Sequence, residues 1–269
     1  NNYPKSFLHQ LISSQLDMDR LDYLRRDSFY SGVTEGSVNS ERLLTMLNVK
    51  DDQLVVDAKG IYSVEKFLVA RRLMYWQGYM HKTVLSAEFM LVNILKRAKY
   101  LANEGIELPE TIALRHFLNA DYSWNEFEEN PAVLEKFVLL DDYDVMSAIK
   151  DWTNHSDIIL SELSKRVTDR NLLKIRLQAT PFAPEVSARI GEAIKSQYGF
   201  SHGEEQYMYI EAKVKNHAYN NKKGHINLLY KDGHISDISQ AADQMTIKAL
   251  SEPVERHFIC FPRELKDLL

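Results

Sequence analysis

Between Ser13 and Gly32 the chain reads SSQLDMDRLDYLRRDSFYSG, with four aspartates and three arginines set among leucines. On a helix, Asp19, Tyr23 and Asp27 recur at i, i+4 and i+8 and share one face, with Asp22 one position away. Carboxylates on such a face can ligate a divalent cation, and Arg20, Arg25 and Arg26 around them can neutralise an anion. The same charges can equally pair along a solvated surface, where each pair contributes little. Leu16, Leu21 and Leu24 occupy another side, so the helix buries something, and a tyrosine among acids suits a partly enclosed polar cleft.

A second stretch, FLVARRLMYWQGYMHKTVLSAEFM, sets Arg71, Tyr75 and Tyr79 at i, i+4 and i+8, with His81 and Lys82 just beyond. Arginine forks onto phosphate oxygens, and tyrosine offers a ring face and a hydroxyl, so this column suits a nucleotide. An amphipathic core helix whose basic residues reach along its surface to water has the same pattern.

The elements that must carry these residues are mostly helical, because 10 glycines and 7 prolines in 269 residues leave long uninterrupted periodic segments. The pattern predicts one helix from Phe7 to Tyr30, closed by Ser31 and Gly32, and a second over SVNSERLLTMLNV with Asn39 or Ser40 as its N-cap. DDQLVVDAKGIYS predicts a short hairpin turning at Lys59 and Gly60. From Val64 to about Ala102 either one very long helix or two abutting ones are expected, with Gly78 as the only glycine. Shorter helices follow over Glu110–Ala120, Asn130–Leu139, Asp142–Trp152 and Ser156–Val167, with DYSWNEFEENP as a loop. After ATPFAP a helix over Glu185–Tyr198 precedes strands in YMYIEAKV, in HINLLYKDGHISDIS around a Lys231-Asp232-Gly233 turn, and in ERHFICF. The expected fold class is mainly α: a helical bundle body with a small α+β C-terminal lobe, divided near residues 103 and 184.

A hydrophobic content of 45% is that of a packed core, and a net charge of −5 argues against a protein that coats nucleic acid. Cys260 is the single cysteine, so an internal disulfide and a cysteine zinc site are excluded, which fits a reducing cytoplasmic compartment. No apolar run approaches the roughly 20 residues of a membrane span, and the first residues have no signal-peptide core, so no membrane association is expected. Asn1 has no methionine before it and the dense motif follows almost at once, which suggests a fragment.

LDMDRLDYLRRDS, followed about 50 residues later by ARRLMYWQGYMHK, resembles the HD-domain superfamily of phosphohydrolases. The closer likeness is to the branch of dGTPase-like and SAMHD1-like deoxynucleoside triphosphate triphosphohydrolases. The resemblance implies metal-assisted hydrolysis of a dNTP at the α-phosphorus to deoxynucleoside and triphosphate, with Asp19 as one metal ligand. It implies that Arg20 touches the phosphates, that Tyr23 and Asp27 contact the sugar region, and that Arg71 and Tyr79 grip triphosphate and sugar, with Lys82 beside them. The metal, whether Mg, Mn, Fe, Zn or Ni, is held in that family by a His, a His-Asp doublet and the later Asp. None of the nine histidines here is followed by Asp. The bundle body is therefore expected to be the C-terminal portion of an HD domain, and this chain alone is expected to be inactive.

RVTDRNLLKI is similar to a segment that reaches an effector nucleotide in regulated members, which makes Arg170 and Lys174, at i and i+4, effector candidates. Basic residues at a helix end that complement its dipole give the same pattern. The expected partners are a dNTP substrate, an effector nucleotide and further copies of the chain as a dimer or tetramer. Two other readings stay open: a non-catalytic nucleotide-sensing or nucleic-acid-binding oligomeric module, and an HD phosphomonoesterase acting on nucleoside monophosphates.

Overall fold

A computed structural model of the chain describes residues 4–216, 219, 224–241 and 253–268. In chain order its helices are α1 (Ser6–Ile12), α2 (Met18–Ser31), α3 (Ser40–Leu44), α4 (Ile61–Met74), α5 (Lys82–Asn103), α6 (Ile112–Leu118), α7 (Trp124–Glu129), α8 (Pro131–Leu139), α9 (Asp142–Trp152), α10 (Ile158–Thr168) and α11 (Pro184–Tyr198). The strands are β1 (Leu47–Lys50), β2 (Gln53–Asp57), β3 (Lys174–Gln178), β4 (Ile210–Asn216), β5 (Asn227–Leu229), β6 (Ile235–Asp237) and β7 (Val254–Phe261). The chain divides into two units, Asn1–His81 with Lys213–Arg256 and Lys82–Ala212 with His257–Leu269. The boundaries expected near 103 and 184 both fall inside the second unit.

In the first unit the helix expected from Phe7 to Tyr30 is two helices. Asp17 sits in extended backbone as the N-cap of α2, and its carboxylate accepts from the amides of Ser14 at 3.0 Å and Arg20 at 2.8 Å. An aspartate that satisfies these donors starts a new helix instead of continuing the old one. The far end is as expected, with Gly32 closing α2 at φ 73°. Asn39 caps α3 as expected, but that helix stops at Leu44 and Leu47–Lys50 is strand.

The hairpin is present but turns elsewhere. Asp51 and Asp52, at φ 51° and 57°, link β1 to β2, while Lys59 and Gly60 lie in a single 3₁₀ turn that leads into α4. Aspartate tolerates the left-handed region, and two successive residues there match the twist of paired strands. The sheet runs β1-β2-β5-β6, with β2 and β5 parallel and Val56 opposite Leu228. The β5–β6 turn falls at Lys231–Gly233 as expected. Leu21 and Leu24 of α2, Phe67, Leu68 and Met74 of α4, and Leu228 share one buried core. Each such side chain contributes about 1.5–3 kcal/mol on burial.

Helix α4 passes into a π-helical stretch, Tyr75–Tyr79, where the Met80 amide bonds back to the Tyr75 carbonyl at 2.6 Å. The long segment is therefore two helices. In the second unit, Trp152, Ile149, Leu160, Leu163, Met90 and Ile94 are fully buried. Arg97 ties α5 to Asp157, at 2.6 Å, and to Glu204, at 3.1 Å.

Two elements of this unit, α7 and β3, depart from the sequence reading. The expected loop at 121–131 contains α7, begun by a Ser123–Glu126 capping box. Helix α10 ends at Thr168, next to the expected Val167, but Arg170 takes φ 56° and Lys174 opens the strand β3, so Arg170 and Lys174 are not one helical turn apart. β3 pairs antiparallel with β7, Ile175 opposite Cys260, in a sheet of order β3-β7-β4. The strands after residue 185 thus join sheets with earlier elements, β5 beside β2 with β6 outside it, and β7 beside β3. Among the described residues no helix is long and apolar enough to cross a membrane.

Gly36 is buried, and a Cβ there would overlap Met74 Sδ and Cγ and lie 3.2 Å from Ser28 Cβ. Gly36→Ala is therefore expected to wedge α2 from α4 and to lower stability by about 1–3 kcal/mol, read from the urea midpoint.

Candidate functional site

Both charged stretches of the sequence meet within the first unit. The Tyr79 hydroxyl, at the end of the π-helical stretch, donates to Asp27 Oδ2 of α2 at 2.5 Å. The Tyr79 ring stands edge-on to Tyr23, with centroids 6.1 Å apart, and to Tyr75, at 5.1 Å. The Arg71 guanidinium lies 5.8 Å from the centre of the Tyr75 ring, and its Nη1 reaches Gln15 Oε1 at 3.5 Å. Tyr23, Asp27, Arg71 and Tyr79, which spacing put on shared helix faces and the resemblance implied as substrate contacts, thus share one cluster. Tyr75 was placed in the column but not among the site candidates, and Gln15 carried no sequence signal.

Burial pushes the Tyr23 phenol up to about 12, reinforced by Tyr75 and opposed by the positive charges of Arg71 and Arg20. Burial also raises Tyr79, together with its hydrogen bond to Asp27 and the charge of that carboxylate. Near neutral pH both are phenols that donate protons, beside arginines that accept nothing. The cluster can therefore hold an anion and orient hydroxyl-bearing groups.

At the start of α2, Asp17 is 1% exposed and also pairs with the Arg20 guanidinium. Arg20 is thereby drawn to the helix start, and its Nε is buried without a hydrogen-bond partner. A serine at 14 followed by Asp17 was a readable capping signal, but the leucine pattern across it carried the helix through. Asp19, the expected metal ligand, lies in the first turn of α2, exposed, and makes no hydrogen bond or ion pair among the described residues. A solvated carboxylate of this kind suits a hard cation, but one donor does not make a site. Among the described residues no group of three or more His, Cys, Asp or Glu side chains is arranged to hold a metal. Of the metal ligands that the resemblance implies, only Asp19 is placed among the described residues.

Lys82 belongs to the second unit. It opens α5 and, with Thr83, Ser86, Lys174 and Arg263, lines a pocket of about 150 Å³. The floor is fixed by Ser86 Oγ, which donates to the Leu173 carbonyl at 2.9 Å, and Arg263 Nε donates to the Leu172 carbonyl at 2.9 Å. Lys82, expected beside the substrate, therefore shares a basic pocket with the effector candidate Lys174. Arg170 is exposed and does not line that pocket. Arg263 was missed, because only the β3–β7 pairing brings it to Lys174.

Residues 38–114 match the family model described as HD associated region. A phosphohydrolase from Bacteroides thetaiotaomicron, solved by crystallography, is 47% identical and superposes with a TM-score of 0.90 over 97% of this chain and 65% of its own. The uncharacterized protein YwfO of Bacillus subtilis is 37% identical over 172 residues, 64% of this chain and 38% of its own length. A deoxynucleoside triphosphate triphosphohydrolase SAMHD1 homolog from Dictyostelium discoideum is 30% identical over 97 residues, 35% of this chain and 19% of its own. The chain spans 33–38% of the lengths of YwfO and of three further bacterial and archaeal relatives.

Two expected outcomes follow from the geometry. Asp17→Ala removes cap and counter-charge together and should cost about 2 kcal/mol, whereas Asp17→Asn keeps a capping oxygen and should cost less than half of that. Chemical denaturation of the two variants measures the difference. Because folding raises the Tyr23 pKa from 10.0 to about 12, its contribution is complete below pH 10 and is lost as pH rises through 12. The slope of stability against pH between those values should flatten in Tyr23→Phe.

Proposed function

We propose that this chain, built on the HD-type phosphohydrolase fold that its family match and its structural neighbour support, is the nucleotide-gripping part of a metal-dependent HD hydrolase. The class of substrate we assign is the deoxynucleoside triphosphate, cleaved to deoxynucleoside and triphosphate. One observation carries the reading: the Tyr79–Asp27 hydrogen bond ties the two motif helices into a single anion-facing cluster. The partial likeness to the Dictyostelium triphosphohydrolase supports the substrate class.

In this reading Arg71 holds the polyphosphate, with its guanidinium oriented by the Tyr75 face and Gln15. Arg20 adds positive charge from the start of α2, moderated by Asp17. Tyr79 and Asp27 present a hydroxyl and a carboxylate to the sugar, and the Tyr23 ring closes the wall behind them. Asp19 would give one carboxylate to a divalent metal, which when bound activates water and polarises the phosphoryl oxygen. The remaining donors are not among the described residues, so the chain by itself is assigned binding without turnover. That also makes nucleotide sensing the second reading. Lys82, Lys174 and Arg263 are assigned to an effector anion, and Arg170, outside their pocket, is left out of that assignment.

Calorimetric titration of this chain with dGTP tests the assignment. Binding is expected, weaker for dGMP, and Arg71→Ala should weaken dGTP binding at least tenfold, about 1.4 kcal/mol. Absence of dGTP binding, or binding indifferent to Arg71→Ala, overturns the reading. Triphosphate release by this chain alone with Mn²⁺ or Mg²⁺ would overturn the assignment of binding without turnover.

A further inference from the structure

Helix α8 is apolar and almost wholly uncovered. Of its nine residues only Val133 is buried, while Leu134, Phe137, Val138 and Leu139 are 49%, 53%, 75% and 64% exposed. Leu134, Phe137 and Val138 fall at i, i+3 and i+4, so they form one continuous stripe. A short helix that turns such a stripe to water is an interaction surface more often than a packing accident.

The stripe is also rigid. The Phe137 ring stands perpendicular to Phe127 of α7, with centroids 5.6 Å apart, and edge-on to Phe117 of α6 at 5.9 Å. The flanking helices are held at their starts by reciprocal capping, Ser123 with Glu126 for α7 and Asp141 with Asp144 for α9. A platform fixed in this way loses little freedom when it is covered.

Charge identifies what covers it. Between residues 121 and 144 there are eight carboxylates and one lysine, in a chain whose net charge is only −5. The segment that carries the apolar stripe is therefore strongly acidic, with Asp121 paired to Lys99 of α5 at 2.6 Å. A phosphate backbone or an anionic membrane would be repelled. A second copy presenting the same face would set acid against acid, which costs affinity. A basic amphipathic segment meets both requirements, with aliphatic or aromatic anchors on the stripe and lysines or arginines against the acidic rim.

We propose that α8 and its acidic surround are a docking site for a basic, amphipathic helical segment of a partner protein. The site is independent of the nucleotide cluster. The probe is a fluorescein-labelled synthetic peptide of about 18 residues, with leucine at i, i+3, i+4 and i+7 and lysine elsewhere, followed by anisotropy against the whole chain. Saturable binding is expected, at least tenfold tighter than that of a scrambled peptide of the same composition, which has the charge without the apolar face. Val138→Asp should weaken it at least tenfold, Glu135→Lys should weaken it and lower its salt dependence, and neither should alter dGTP titration. Both side chains are exposed, and Leu139→Asp serves if Val138→Asp fails to fold by circular dichroism. Equal binding of the scrambled peptide, or indifference to Val138→Asp, overturns the proposal. So does a concentration-dependent dimer, seen by light scattering, that Val138→Asp abolishes, because the occupant is then a second copy.

Discussion

Asp27 and Tyr79 are 52 residues apart in sequence and their side-chain oxygens are 2.5 Å apart in space. A phenol donating to a carboxylate in a half-buried setting is worth about 1.5–3 kcal/mol while it is made, and it leaves a costly unpaired group when it is not. Closing that distance requires α2 and α4 to approach closely. The approach rests on Gly36, whose missing side chain leaves room for Met74 against Ser28, and on Leu21, Leu24, Phe67 and Leu68 beneath. The cluster is therefore a consequence of apolar packing that sits below it, and any change in that packing is felt at the phenol.

That Tyr23 shares a face with Asp27, and Arg71 with Tyr79, was legible because each pair lies within one local segment, where helical geometry alone decides who shares a face. The π-helical stretch did not spoil the column, since Tyr75 and Tyr79 remain ring neighbours at 5.1 Å. The break at 13–17 was harder to read, because leucines continue the helical period through it while Ser14 and Asp17 compete for the backbone donors. Aspartates at 51 and 52 took the hairpin turn from Lys59 and Gly60 for a similar reason, a side-chain tolerance of left-handed backbone that hydrophobic periodicity does not register.

Pairing across long separations was not legible at all. Val55 lies opposite Asn227, and Lys174 lies opposite Phe261, in strands of three to eight residues whose partners no local pattern specifies. This matters for the second basic cluster. An i, i+4 spacing made Arg170 and Lys174 candidates for one shared anion; the strand instead sends Lys174 toward Lys82 and Arg263 and leaves Arg170 outside that pocket. The residue types were legible and their company was not, because a β-register decided it.

Arg20 shows how capping and ligand chemistry compete for one side chain. Asp17 is buried where it caps the start of α2, and a buried carboxylate needs a counter-charge, which Arg20 supplies. The guanidinium is then partly neutralised before any phosphate arrives, and an incoming anion meets the pair rather than a bare cation. Arg71 is set differently: its guanidinium lies over the Tyr75 ring and reaches the neutral amide oxygen of Gln15. The dense charge of α2 acts mainly through position, holding Asp19 in the first turn where its carboxylate faces solvent and Asp27 two turns on where it meets Tyr79.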